Sequence, residues 1–146
     1  MKKTNEVRNI QPRKYHNYVA FFLTLACNLK CPYCINLHGT GSRYQQAKRA
    51  NLTPEEWIQA ANRLILRDDL PLTFQGGEPT LYKGFYKIVN EVKEEIKMDL
   101  LTNMAFDVDE FIENVPVWRF LREAPYAAIR VSYHPGQNDI NDLIRK

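Results

Sequence analysis

Cys27-Asn28-Leu29-Lys30-Cys31-Pro32-Tyr33-Cys34 holds every cysteine of the chain. The C-x3-C-x2-C spacing puts three soft thiolate donors in one short loop. Such a loop closes on a metal centre with little further chain entropy to lose. An iron–sulfur cluster takes a cysteine at each iron, so three cysteines leave one iron of a four-iron cluster open to another ligand. Zinc is the rival occupant. His38 follows Cys34 at C-x3-H spacing, and Cys27, Cys31, Cys34 and His38 could form a closed Cys3His site. That alternative describes a non-catalytic, zinc-braced α/β binding module.

Upstream of the loop, residues 18–25 (YVAFFLTL) form a nearly continuous apolar run. Runs of this length fit a strand buried on both faces of a parallel sheet. The cysteine loop then lies just beyond the carboxyl end of the first strand, the end at which α/β sheets and barrels bind their ligands. Downstream, residues 70–75 read as a second strand that runs into Gly76-Gly77-Glu78-Pro79. The two glycines let backbone approach a ligand with no Cβ in the way. Glu78 can accept from an ammonium group, and Pro79 fixes the turn. Taken alone, the block is equally a turn into a helix.

Taken together, the two blocks resemble the radical S-adenosylmethionine (radical SAM) enzyme superfamily. C-x3-C-x2-C, with Tyr33 before the last cysteine, is similar to that family's cluster loop, and Gly76-Gly77-Glu78-Pro79 to its glycine-rich cosubstrate motif. The resemblance implies a [4Fe–4S] cluster held by Cys27, Cys31 and Cys34, with S-adenosylmethionine on the open iron. Reductive cleavage of the cosubstrate to a 5′-deoxyadenosyl radical, and hydrogen abstraction from a substrate, would follow. It also implies an electron donor such as flavodoxin or ferredoxin. By resemblance Tyr33 lies near the adenine, while Gly76, Gly77, Glu78 and Pro79 hold the amino group. Ser132 contacts the carboxylate or ribose. Asn103, at the end of the third strand, is a further cosubstrate contact or else a backbone cap.

The rest of the chain sets these residues in order. Residues 1–17 are polar and basic and read as a flexible arm. Residues 35–51 form a polar loop, long enough to suggest a lid or a substrate-facing segment. Thr53-Pro54-Glu55-Glu56 predicts a helix start with a capping box. Trp57, Ala60, Ala61, Leu64 and Ile65 give that helix its apolar face. Helical spacing returns after Pro79 in Leu81, Phe85, Ile88, Val89, Val92 and Ile96. Residues 98–102 and 127–133 read as strands three and four. A helix over residues 107–121 is interrupted at Pro116, and another begins at Asn138.

The predicted fold is therefore α/β: a parallel-stranded partial (β/α) barrel with about four units over residues 18–146. The resemblance implies six units, which makes a truncated and catalytically incomplete fragment a further expectation. On the fourth strand, alternation sets Arg130, Ser132 and His134 on the barrel face, opposite Ile129, Val131 and Tyr133. Arg130 reads as half of an ion pair, and His134 as a substrate contact or a loop histidine. The 146 residues suit one domain, and the net charge of +3 does not single out a nucleic-acid partner. With no long apolar run and an odd, clustered set of cysteines, a reducing cytoplasm is the expected compartment.

Overall fold

The computed structural model describes residues 8–38, 52–120 and 128–146. Among these, β1 (Val19–Thr24), β2 (Leu72–Gly76), β3 (Met98–Thr102) and β4 (Ile129–Val131) form one parallel sheet in the order β1-β2-β3-β4. The helices are α1 (Ile35–His38), α2 (Pro54–Asn62), α3 (Phe85–Glu91), α4 (Val108–Asn114) and α5 (Ile140–Arg145). This is the alternating α/β order that the hydrophobic pattern predicts. Most of the long loop expected over residues 35–51 lies outside the described residues, as do the first seven residues of the expected arm and the start of the fourth predicted strand.

Strand alternation decides what is core. Val19, Phe21, Leu23, Leu72, Phe74, Met98, Leu100 and Ile129 point to the helix side. There they pack with Ala61 and Leu64 from the α2 region, Phe85, Ile88 and Val89 of α3, and Phe111 of α4. The opposite face differs from the expectation of a first strand buried on both sides. Phe22 is 52% exposed there. The four strands form an open sheet, with β1 and β4 not paired to each other. The polar members of that opposite face satisfy one another. Arg130 grips the buried Asp99 in two places, at 2.7 and 3.2 Å, and Thr73 donates to the same carboxylate at 3.1 Å. Asp99 in turn holds the guanidinium charged, raising its pKa. The predicted ion pair of Arg130 is thus present, placed toward the amino-terminal side of the sheet.

Local signals account for most element ends. Thr53 accepts from the Glu56 N–H at 3.2 Å, and Glu56 accepts from the Thr53 N–H at 2.7 Å, completing the capping box. Because α2 ends at Asn62, Ile65 lies beyond its apolar face and is exposed, contrary to the periodic reading. The helix expected after Pro79 is split. A 3-10 turn covers Pro79–Leu81, and α3 starts only after Gly84, where a Cβ would lie 2.3 Å from the Pro54 ring. Val92 and Ile96 are still buried, but past the helix end. Pro116 separates α4 from a 3-10 turn at Val117–Phe120.

Residues 8–17 also differ from a free arm. Ile10 pairs with Leu64 in a parallel bridge, Arg63 donates to the Arg8 carbonyl, and Arg67 donates to the carbonyls of Lys14 and His16. Composition cannot show such ties, because the acceptors are backbone carbonyls. No helix among the described residues is long and apolar enough to cross a membrane.

Beyond β3, Met104 adopts φ 56°. A side chain in this left-handed region costs about 1–2 kcal/mol, and glycine does not meet that penalty. Met104→Gly is expected to stabilise the chain by about 1 kcal/mol net, raising the melting temperature by roughly 2–4 °C. A melting temperature that is unchanged or lower in thermal denaturation would refute the strain.

Candidate functional site

The parallel register aligns the carboxyl ends of all four strands. Thr24 pairs with Gly76, Thr102 with Val131, and the segments that follow each strand gather at one edge. There a cavity of about 360 Å³ is lined by Cys27, Cys31 and Cys34 from the loop after β1. Gly76 and Gly77 line it from the end of β2, Asn103 from beyond β3, and Ser132 and His134 from beyond β4. Phe22, Leu29 and Leu101 supply apolar wall, and Tyr33 closes one side. Residues far apart in sequence thus share one cavity because the sheet is parallel.

The first two segments are joined backbone to backbone. The Gly77 N–H donates to the Thr24 carbonyl at 2.9 Å, and the Glu78 N–H donates to the Ala26 carbonyl at 2.8 Å. This approach is possible only without side chains. A Cβ on Gly76 would lie 2.1 Å from the Thr24 oxygen, and one on Gly77 would lie 2.2 Å from the Ala26 oxygen. The close approach that sequence reading assigns to a ligand is therefore also an approach to the cysteine loop itself.

Glu78 and Pro79 are buried behind the glycines and are not part of the cavity wall. The Glu78 carboxylate is 0% exposed. It accepts from the Thr80 hydroxyl at 2.7 Å, the Thr80 N–H at 3.3 Å, the Thr102 hydroxyl at 2.8 Å and the Asn103 N–H at 2.8 Å. It ties the end of β2 to the end of β3, and its side chain caps the 3-10 turn.

Asn103 takes the capping role and more. Its Oδ1 accepts from the Ala105 N–H at 2.9 Å. Its Nδ2 donates to Asn28 Oδ1 at 2.8 Å and lies 3.7 Å from Cys27 Sγ.

On the far side, the Tyr33 hydroxyl is 3.3 Å from His134 Nδ1, with the two rings stacked at 6.1 Å. Desolvation, and then the Cys31 thiol beside it, raise the Tyr33 phenol above its usual pKa, so it stays protonated at neutral pH. The Lys30 N–H donates to Gln137 Oε1 at 2.9 Å. Asn138 receives the His134 N–H at 2.8 Å and reaches the Ser132 carbonyl at 3.3 Å. Asn36 holds the Gly76 carbonyl at 3.2 Å. Sequence reading missed Asn36, Gln137 and Asn138. They are isolated amides, Asn36 in α1 and the other two in the loop after β4, whose only signal is their nearness to Cys34 or to the end of β4.

Among the described residues, no group of three or more His, Cys, Asp or Glu side chains is gathered tightly enough to hold one metal ion. A zinc ion takes its sulfurs at about 2.3 Å from one point, and an iron–sulfur cluster takes one sulfur at each of several irons. The side chain of His38, the fourth ligand of the zinc reading, lies outside the described residues.

The sequence model of the Radical SAM superfamily matches residues 21–146. The chain is 32% identical over 80 residues to Molybdenum cofactor biosynthesis protein 1 of Drosophila melanogaster, covering 55% of this chain and 14% of that protein. It is 28% identical over 131 residues to GTP 3′,8-cyclase of Mannheimia succiniciproducens, covering 88% and 36%. To PqqA peptide cyclase of Rhodopseudomonas palustris it is 27% identical over 122 residues, covering 84% and 30%. The matched region thus spans at most 36% of the length of these three relatives.

Proposed function

The chain belongs to the radical SAM superfamily, and on that premise we propose that its cavity holds a [4Fe–4S] cluster on Cys27, Cys31 and Cys34 and binds S-adenosylmethionine beside it. When bound, this pair supplies reductive cleavage of the sulfonium to a 5′-deoxyadenosyl radical, which takes a hydrogen atom from a substrate. The single observation that carries the reading is the shared cavity. Three thiols from one loop and the bare backbone of Gly76 and Gly77 face the same space.

Each part of the chain has a task in this reading. The cysteines supply charge-bearing soft ligands. Gly76 and Gly77 offer backbone carbonyl and amide groups to the cosubstrate's amino-acid end, and Ser132 offers a hydroxyl from the opposite wall. Asn103 borders the same space. Tyr33, stacked with His134, forms the flat wall suited to the adenine. Phe22, Leu29 and Leu101 keep water from the reacting atoms. Glu78 and Pro79 act from behind, holding the glycines and the end of β3 in place. An external reductant of the flavodoxin or ferredoxin kind would deliver the electron, and the cytoplasm suits its reducing chemistry. Two of the relatives are named for a nucleotide and a peptide substrate, so the proposal stops at the chemistry both would share.

The test is anaerobic reconstitution with iron and sulfide, read by metal content and by low-temperature EPR of the reduced chain. About four irons per chain, with a signal that changes when S-adenosylmethionine is added, is the expected result. Stoichiometric zinc with no cluster would overturn it in favour of the Cys3His module. A cluster whose signal ignores the cosubstrate would overturn the cosubstrate half.

A further inference from the structure

We infer that Asn103 tunes the reduction potential of the cluster by donating an amide N–H to Cys27 Sγ. The inference rests on the cluster reading above and extends it to a residue outside the cysteine loop.

The geometry begins with an orientation that the hydrogen bonds fix. In Asn103, Oδ1 is committed to the Ala105 N–H at 2.9 Å, so the NH2 end must face the other way. In Asn28, Nδ2 is committed to the Ala105 carbonyl at 3.0 Å, so its Oδ1 must face Asn103. The two amides therefore form a closed ring with Ala105, and neither can flip without losing a bond. One N–H of Asn103 goes to Asn28 Oδ1 at 2.8 Å. The other is left for Cys27 Sγ at 3.7 Å, within reach of an N–H···S bond. The Leu29 backbone N–H approaches the same sulfur at 3.4 Å. Asn103 itself is buried, and its own N–H is anchored on Glu78.

Hydrogen bonds to ligand sulfurs are one of the levers that set the potential of an iron–sulfur centre. A donor aimed at a thiolate stabilises negative charge. The reduced cluster carries one more negative charge than the oxidised form, so the donor favours reduction. Of the two donors at Cys27, the Leu29 amide is backbone and cannot be removed by substitution. The Asn103 amide can.

Asn103→Leu removes the donor, and Asn103→Asp replaces it with a carboxylate in the same place. Both keep the backbone N–H that Glu78 holds, so the end of β3 retains its anchor. In a potentiometric titration of the reconstituted chain, followed by EPR, both variants are expected to be harder to reduce. The ratio of reduced to oxidised cluster at a fixed potential should fall about tenfold in Asn103→Leu and further in Asn103→Asp. For a one-electron couple tenfold corresponds to about 59 mV. A merely structural role would leave the potential of a loaded cluster where it was, and wild-type potentials in both variants overturn the inference. A second measurement needs no variant. In wild-type chain labelled with 15N in its asparagine side chains, the reduced cluster should show a nitrogen hyperfine coupling, and absence of that coupling overturns the assignment. A wild-type chain that loads no cluster removes the functional reading and this inference together. A loaded wild type with unshifted variants removes this inference alone.

Discussion

Replacing Glu78 with alanine is expected to lower the stability of the chain by about 4 kcal/mol, the sum of several lost buried hydrogen bonds and a cavity. The carboxylate is fully buried and accepts from two hydroxyls and two backbone N–H groups. Thr80 and Thr102 can turn their hydroxyls elsewhere. The Asn103 N–H cannot, because the backbone at the end of β3 is fixed by the sheet. Leaving such a donor unpaired costs about 1–3 kcal/mol by itself. Against a total stability of about 5–15 kcal/mol for a domain, the loss is large enough to see as a partly unfolded population. Glu78→Gln keeps one acceptor oxygen and the volume, so it should fall between alanine and wild type. Urea denaturation reads both. If alanine costs less than about 1 kcal/mol, Glu78 does not hold these strand ends together.

The second large effect is expected from Gly77→Ala. The added methyl meets the Ala26 oxygen at 2.2 Å and the Leu25 oxygen at 2.6 Å. Both are backbone atoms, with no flexible side chain to give way. Overpacking of this kind costs about 3 kcal/mol. Relief would require pushing residues 25 and 26 outward, which stretches the Glu78 N–H to Ala26 bond and displaces Cys27, the next residue. The variant should therefore lose cluster-binding capacity along with stability, although no metal ligand is changed. Iron content after reconstitution, compared with wild type at a temperature where both are folded by circular dichroism, reads this directly. Wild-type iron content in a folded variant would show that the loop tolerates the displacement.

How far the sequence was legible follows from the kind of signal each residue carries. The β/α order and the capping box at Thr53 were readable because periodicity and capping are local. The cavity's main wall was readable because three cysteines and two glycines lie in short motifs at strand ends, and a parallel sheet brings strand ends together. The break at Gly84 was not readable, since it depends on Pro54 packing against that glycine from another helix. Ile65 was misplaced because the hydrophobic period continues past the residue where α2 stops. The buried role of Glu78 was hidden, because a carboxylate in a loop gives no local sign that two of its donors lie at the end of β3. For Asn103, sequence offered a choice between a ligand contact and a cap. Only the committed ring with Asn28 and Ala105 shows where its amide protons point.

The spatial order of the strands repeats their chain order, from β1 at one edge to β4 at the other. Among the described residues, no later strand enters between two that are already paired. A ribosome releases the chain at about 5–20 residues per second, so β2, β3 and β4 each emerge after the strand they pair with. The cysteine loop leaves before the glycine pair, and these two segments join through residues 24–26 and 77–78. The wall of the site formed by the cysteine loop and the glycine pair can thus be assembled before β3 and β4 have been synthesised.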